Sequence, residues 1–119
     1  MIDITPQVVE QLNTVLPTQY GMILDTSLGL PCITYIPIEN RDEALGNTQA
    51  YSIITYKIRI WCNEVSNITQ YQAQVDEALA SIGRFHRNGV QDIIYGDLIC
   101  RMLDYTILVK EIFNISRYE

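Results

Sequence analysis

Residues 49–63, QAYSIITYKIRIWCN, alternate in two registers, and no other feature narrows the possible folds as much. Successive side chains of a strand point to opposite faces. One register carries Ser52, Ile54, Tyr56, Ile58, Ile60 and Cys62, which is a core face. The other carries Tyr51, Ile53, Thr55, Lys57, Arg59, Trp61 and Asn63, with two cations set between large amphipathic rings. A strand of about thirteen residues extends roughly 43 Å, whereas a compact domain of this chain's size is roughly 35 Å across. Such a strand either bends sharply or projects from the body toward another copy or another protein.

Two helices are predicted from apolar spacing. Thr5 and Pro6 form a start signal, a hydroxyl cap followed by a proline that sacrifices no helical bond. From there QVVEQLNTVL places Val8, Val9, Leu12, Val15 and Leu16 in one stripe until Pro17. Asn67 and Gln70 resemble a capping box, and Ile68, Tyr71, Val75, Ala78, Leu79 and Ile82 follow at helical spacing until Gly83.

Three further segments read as strands. CITYIPIEN alternates, with Pro37 marking an edge or a bulge because it has no amide hydrogen. RFHRNGVQDIIYG reads as a strand with a turn at Asn88 and Gly89, and DLICRMLDYTILVKEIF as a long final strand. RDEALGNT is expected to be a polar connection, and GMILDTSLGLP is an apolar piece followed by turn chemistry at Gly29 and Pro31.

The order helix, strand, strand, helix, strand, strand predicts one α+β domain over residues 1–119. Its four-stranded, mainly antiparallel sheet would carry both helices on one face. The other face, with Lys57, Arg59 and Trp61, then needs its own cover. Tyr, Trp and Arg are enriched at protein interfaces, so Tyr51, Lys57, Arg59 and Trp61 are the candidate subunit contact. A simpler reading has the two cations solvated on a wet sheet face.

Catalytic patterns are absent. The single histidine, His86, cannot supply a His-based metal cluster and is expected on a loop or the sheet surface. Cys32, Cys100 and Cys62 are widely spaced within apolar segments, as buried core thiols are in a reducing compartment. The glycines are scattered, so no phosphate-cradling loop is formed. Asp76 and Glu77 point about 100° apart on a helix and are expected to be solvated. Asn67-Ile68-Thr69 has the letters of a glycosylation acceptor without a secretion signal. A net charge of −6 disfavours general binding to a phosphate backbone. No apolar run is long enough to span a bilayer, which predicts a soluble protein without a membrane partner.

YSIITYKIRIWCN leading into ITQYQAQVDEALASIGRFHRNG and then GDLICRMLDYTILV resembles the tail terminator, or tail completion, proteins of long noncontractile-tailed bacteriophages. The likeness covers nearly all of the chain and consists of a long strand with an aromatic near its end, a VDEAL-type helix closed by glycine, and a final hairpin. It implies a structural virion protein without catalytic residues or cofactors. Copies would form a ring, usually a hexamer, that caps the tail tube, ends its polymerisation and joins the tail to the head connector. DNA would pass through the channel without specific binding, which suits an excess of acid. Such a protein resides in the virion tail and is assembled in the host cytoplasm. Within this reading Arg41, Asp42 and Glu43 are candidate contacts to the tail tube protein, placed in the loop NRDEALGNT. The alternatives are another head-tail joining or tube-like neck protein, and a small-molecule binding module or enzyme of ferredoxin-like build.

Overall fold

The computed structural model describes residues 4–22, 29–45 and 49–112, and for residues 39–45, 49–51 and 110–112 the backbone alone. Seven elements follow one another: α1 (Thr5–Asn13), β1 (Thr18–Tyr20), β2 (Cys32–Leu45), β3 (Gln49–Cys62), α2 (Val65–Ala80), β4 (Phe85–Tyr95) and β5 (Leu98–Ile112). The strands form one sheet in the order β1-β2-β3-β5-β4. Every neighbouring pair is antiparallel except β1 with β2.

The α+β class and the two helices on one face agree with the sequence reading, but the sheet has five strands and is mixed. The added strand, β1, is three residues long and pairs Thr18, Gln19 and Tyr20 with Ile33, Thr34 and Tyr35. Three residues are too few to show a period, so only the pairing defines it.

The core lies between the sheet and the helices. Ile54, Tyr56, Ile58 and Ile60 of β3 meet Leu103, Tyr105 and Ile107 of β5, Val8 and Leu12 of α1, and Ile68, Val75 and Leu79 of α2. Full burial of each large aliphatic contributes about 1.5–3 kcal/mol, and this fixes the register of the long strands. A slip of one residue in β3 would put Lys57 and Arg59 into the core.

Both helix starts differ from expectation. Thr5 is the first helical residue behind Ile4, so its hydroxyl does not cap; it pairs with the Tyr56 hydroxyl at 2.9 Å and pins α1 to the sheet. The helix proper ends at Asn13, after which a turn carries Val15 and Leu16 onto the core. Helix α2 begins at Val65 behind an extended Glu64, so Asn67 lies inside the first turn and no Asn67–Gln70 capping box forms. Instead Asn67 Nδ2 donates to Glu64 Oε1 at 3.3 Å.

Two strands run on where a break was expected. RDEAL is strand, not connection: Arg41 to Leu45 pair in order with Ile53 to Gln49. The rest of that expected loop, residues 46–48, lies outside the described residues, as does most of GMILDTSLGLP. Asn88 is an extra residue in β4 between Arg87 and Gly89, a bulge in place of the expected turn. Pro37 does mark a bulge, since the register shifts between it and Glu39. The hairpin from β4 to β5 closes over Gly96 and Asp97, where Gly96 takes the positive φ of 61° required at the first position of a two-residue turn.

The long strands do project. The molecule measures 53 × 25 × 22 Å, with a radius of gyration of 15.7 Å against about 13.5 Å for a compact domain of this length. β1 flanks β2 only as far as Tyr35, and β4 flanks β5 only as far as Ile107. Beyond those points, among the described residues, β2, β3 and β5 continue as a three-stranded ribbon to Leu45, Gln49 and Ile112.

Candidate assembly face

The face of the sheet opposite the helices is built in rows across β2, β3 and β5. From one end the rows are Cys32–Trp61–Cys100, Thr34–Arg59–Met102, Ile36–Lys57–Asp104, Thr55–Thr106 and Ile53–Leu108. Lys57, Arg59 and Trp61 are thus brought together, as the alternation predicted. Tyr51 lies six positions from Lys57 toward the hairpin end, roughly 20 Å away.

Trp61 is not bare. It is 6% exposed, its Nε1 donates to Thr34 Oγ1 at 2.9 Å, and it packs with Cys32, Cys100, Leu98 and Met102 as a second, smaller core. Its ring meets the surface through Tyr95, which is half exposed and stacks on it at 6.0 Å. Burial pushes the thiols of Cys32 and Cys100 up to about 11. The two lie on strands either side of β3, roughly 10 Å apart at about 4.8 Å per strand, too far for a disulfide. All three cysteines are free and buried, as expected.

Arg59 is half-buried. Its Nη1 donates to the Met22 carbonyl at 3.2 Å, so the chain leaving β1 turns onto this face beside it. The Nε of Arg59 is buried with no partner among the described residues. Lys57 pairs with Asp104 at 3.7 Å, both about one third exposed, a geometry that contributes little net energy. A notch of about 200 Å³ opens beside them where Gly89 has no side chain; Val90, Gln91 and Met102 complete its wall.

Toward the projecting end, Thr55 and Thr106 share a hydrogen bond of 3.0 Å and Leu108 is 55% exposed. Arg41, Asp42 and Glu43 stand at register positions opposite Ile53, Ser52 and Tyr51. By alternation Arg41 and Glu43 take positions of the open face and Asp42 one of the helix face, so the three do not form a single cluster. The side chains of these residues and of Tyr51 lie outside the described residues. His86 is exposed on β4, at the sheet surface as expected.

Two polar clamps on the helix side were not foreseen. Asp76, expected to be solvated, accepts a 2.6 Å hydrogen bond from the Tyr105 hydroxyl and pairs with Arg87. Burial, and then the hydrogen bond to Asp76, raise the Tyr105 pKa. Arg101 binds Asp92 through both carboxylate oxygens, at 2.7 and 2.9 Å, and reaches Gln72 and Thr69 of α2 at 2.8 and 3.0 Å. The hydrogen bond from Arg101 holds the Asp92 carboxyl below its usual range. These groups tie α2 to β4 and β5, and their partners lie too far away in sequence for any local pattern to reveal them.

A cleft of about 340 Å³ beside the first clamp is lined by Asp76, Ala80, Phe85, Arg87 and Tyr105, and its polar groups are already engaged with one another. Among the described residues no group of three His, Cys, Asp or Glu side chains is placed to hold a metal ion. No described helix is long and apolar enough to cross a membrane.

No protein-family model matches the sequence, and comparison with curated proteins finds no match. Among solved structures, the fold is similar to a chain of the structure described as "Virion of native gene transfer agent (GTA) particle". The identity is 13% and the TM-score 0.55, covering 91% of this chain and 92% of that one. At that identity the likeness is one of fold.

Proposed function

We propose that this chain is a structural protein of a phage-like virion, working as a tail terminator: copies form a ring, with six as the expected number, that caps the tail tube and halts its growth. The observation that carries the reading is the end-to-end structural match, 91% of one chain on 92% of the other, to a chain of a gene transfer agent virion. The projecting ribbon supports it as well, because a domain 53 Å long, with a sheet face that no described helix covers, is suited to being one segment of a larger body.

The mechanism follows from symmetry. Tube rings that stack head to tail have no intrinsic stop. A terminator binds the growing end and presents a different surface outward, here to the head connector. Lys57, Arg59 and Tyr51, with Trp61 acting through Tyr95, form the proposed contact between subunits. Arg41, Asp42 and Glu43, entering the β2–β3 hairpin, form the proposed contact to the tube. DNA passes along the ring axis without specific binding, in keeping with the net charge of −6. The ring is a virion tail component assembled in the host cytoplasm.

The test is to add purified protein to tail tubes that are still polymerising and to measure their lengths in negative-stain images. Shorter tubes, each with a ring at one end, support the reading. Unchanged lengths with no ring bound overturn it. A ring bound at the head connector but never on a tube favours a different neck protein.

A further inference from the structure

The two long borders of the sheet are open at opposite ends. On one border β1 stops opposite Tyr35, and among the described residues the outer edge of β2 has no strand partner over 36–45. On the other, β4 presents Phe85–Tyr95, an edge strand whose residues are nearly all exposed. The lengths agree, ten residues against eleven. Both are edges of the kind that pairs with another chain.

We infer that β4 of one copy pairs antiparallel with the free 36–45 edge of β2 in the next copy, so that the sheets join edge to edge around the ring. The inference rests on the ring reading above and offers a closing contact in place of the one through Lys57, Arg59 and Tyr51, which an edge-joined sheet leaves about two strands, roughly 10 Å, from the nearest strand of another copy.

Three observations carry it. The first is direction: β4 runs with β3 and β2 against it, so β4 meets a neighbour's β2 antiparallel when the sheet simply continues.

The second is register. Helix face must continue as helix face, so the neighbour is offset along the strands by an even number of residues. An offset of four would set Ile94 and Tyr95 against Tyr35 and Thr34, where β1 already pairs. An offset of six avoids β1 and places Tyr95 at Ile36, Gln91 at Arg41 and His86 at Leu45, filling the open edge. Six residues are about 20 Å along the strands, and the four strand spacings per copy are about 19 Å across them. For that displacement to run around a ring, the strands must tilt about 45° from its axis, the upper end of what closed barrels use.

The third is charge. Arg84 and Arg87 make the start of β4 basic, whereas the outer half of β2 carries Glu39, Asp42 and Glu43 against Arg41. The six-residue offset sets Arg87, whose guanidinium also holds Asp76, at a position diagonal to that of Asp42. At the other end Ile94, 69% exposed, lies beside Pro37 and Ile38, the latter 47% exposed. The tube contact of Arg41, Asp42 and Glu43 is compatible with this, because the pairing uses the strand backbone.

The experiment is disulfide trapping with the double variant Gln91→Cys/Arg41→Cys. The two positions lie roughly 25 Å apart within one copy, so they can link only between copies. Mild oxidation of the assembled protein is expected to give a ladder of linked chains on a non-reducing gel. The pair His86→Cys/Arg41→Cys, out of register, is expected to give none. In parallel, the wild-type amides of 36–45 and 86–95 should exchange on the order of tenfold more slowly in the ring than in the dissociated chain. This readout also decides the matter if the double variant fails to assemble. A ring of unchanged mass with no ladder, and with no protection at these edges, overturns the pairing and leaves the ring standing. A chain that stays monomeric on and off tail tubes overturns both.

Discussion

The Tyr105 hydroxyl donates a 2.6 Å hydrogen bond to Asp76, joining the middle of β5 to α2 across the top of the core. Tyr105 is 2% exposed and Asp76 also holds Arg87, so one carboxylate secures a helix to two strands. Helix α2 otherwise reaches the sheet through Ile68, Val75 and Leu79.

Removing the hydroxyl by Tyr105→Phe should therefore destabilise the chain by about 1.5–3 kcal/mol, the range for a hydrogen bond to a charged group. Asp76→Ala should cost more than Tyr105→Phe, because it leaves a buried hydroxyl and a guanidinium without their acceptor. Urea unfolding midpoints would check the order of the two. Equal losses would mean that Arg87 adds nothing to the clamp.

The second clamp gives a pH dependence with a definite sign. The folded Asp92 carboxyl is held below its unfolded value, so its contribution is complete above about pH 4 and is lost as pH falls through the folded pKa. Asp92 is about one third exposed, so the contribution is discounted to under about 1 kcal/mol. Asp92→Asn should be less stable than wild type at neutral pH and should converge with it in acid. Unfolding curves from pH 7 to pH 2 measure the gap; a gap that widens in acid would contradict the assignment.

Gly83 shows how a residue can be legible for the wrong reason. It was expected as the stop of α2, yet the helix ends at Ala80, and Gly83 is small because a Cβ there would lie 2.9 Å from Ile107 Cδ1. Gly83→Ala should cost about 1 kcal/mol by overpacking. Ile107→Val, which removes the obstructing methyl, should recover part of that loss in the double variant. Strict additivity of the two changes in thermal unfolding would show that the contact is not the cause.

The same contrast runs through the fold. The alternation of Ser52 to Cys62 was readable because burial against two helices forces a strict period, and Val75 and Leu79 were readable because one stripe of α2 faces that sheet. β1 was hidden because Thr18–Tyr20 owes its strand form to β2 rather than to its own residues. Arg41 to Leu45 read as a loop because charges occur at positions of both faces, as the projecting ribbon tolerates where no described helix covers it. Asp76 looked solvated because its partner Tyr105 lies 29 residues on, beyond any local window. On the open face the alternation put Lys57, Arg59 and Trp61 together, but it held no sign that Trp61 would be buried between two cysteines.

Trp61 offers a test of that small core. Trp61→Phe deletes the donor to Thr34, whose side chain is fully buried, and should cost about 1–3 kcal/mol. Trp61→Ala should also uncover Cys32 and Cys100, which in the native protein are shielded and held protonated near neutral pH. Thiol titration at pH 8 would register the change as two additional fast-reacting groups. If the native protein already reacts at Cys32 and Cys100, the packing described is wrong.

Lys57 bears most directly on assembly, because its side chain is partly accessible on the open face and its local partner is known. Lys57→Glu would place two carboxylates side by side with Asp104, costing no more than about 1 kcal/mol at this exposure, so the monomer should still fold. If Lys57 contacts a neighbouring subunit, ring mass in light scattering should fall, and the swap Lys57→Glu/Asp104→Lys should not restore it, because the charge facing the neighbour has moved. Should the swap restore full rings, Lys57 matters only for holding Asp104 and drops out of the subunit contact. Circular dichroism on both variants separates either outcome from simple unfolding.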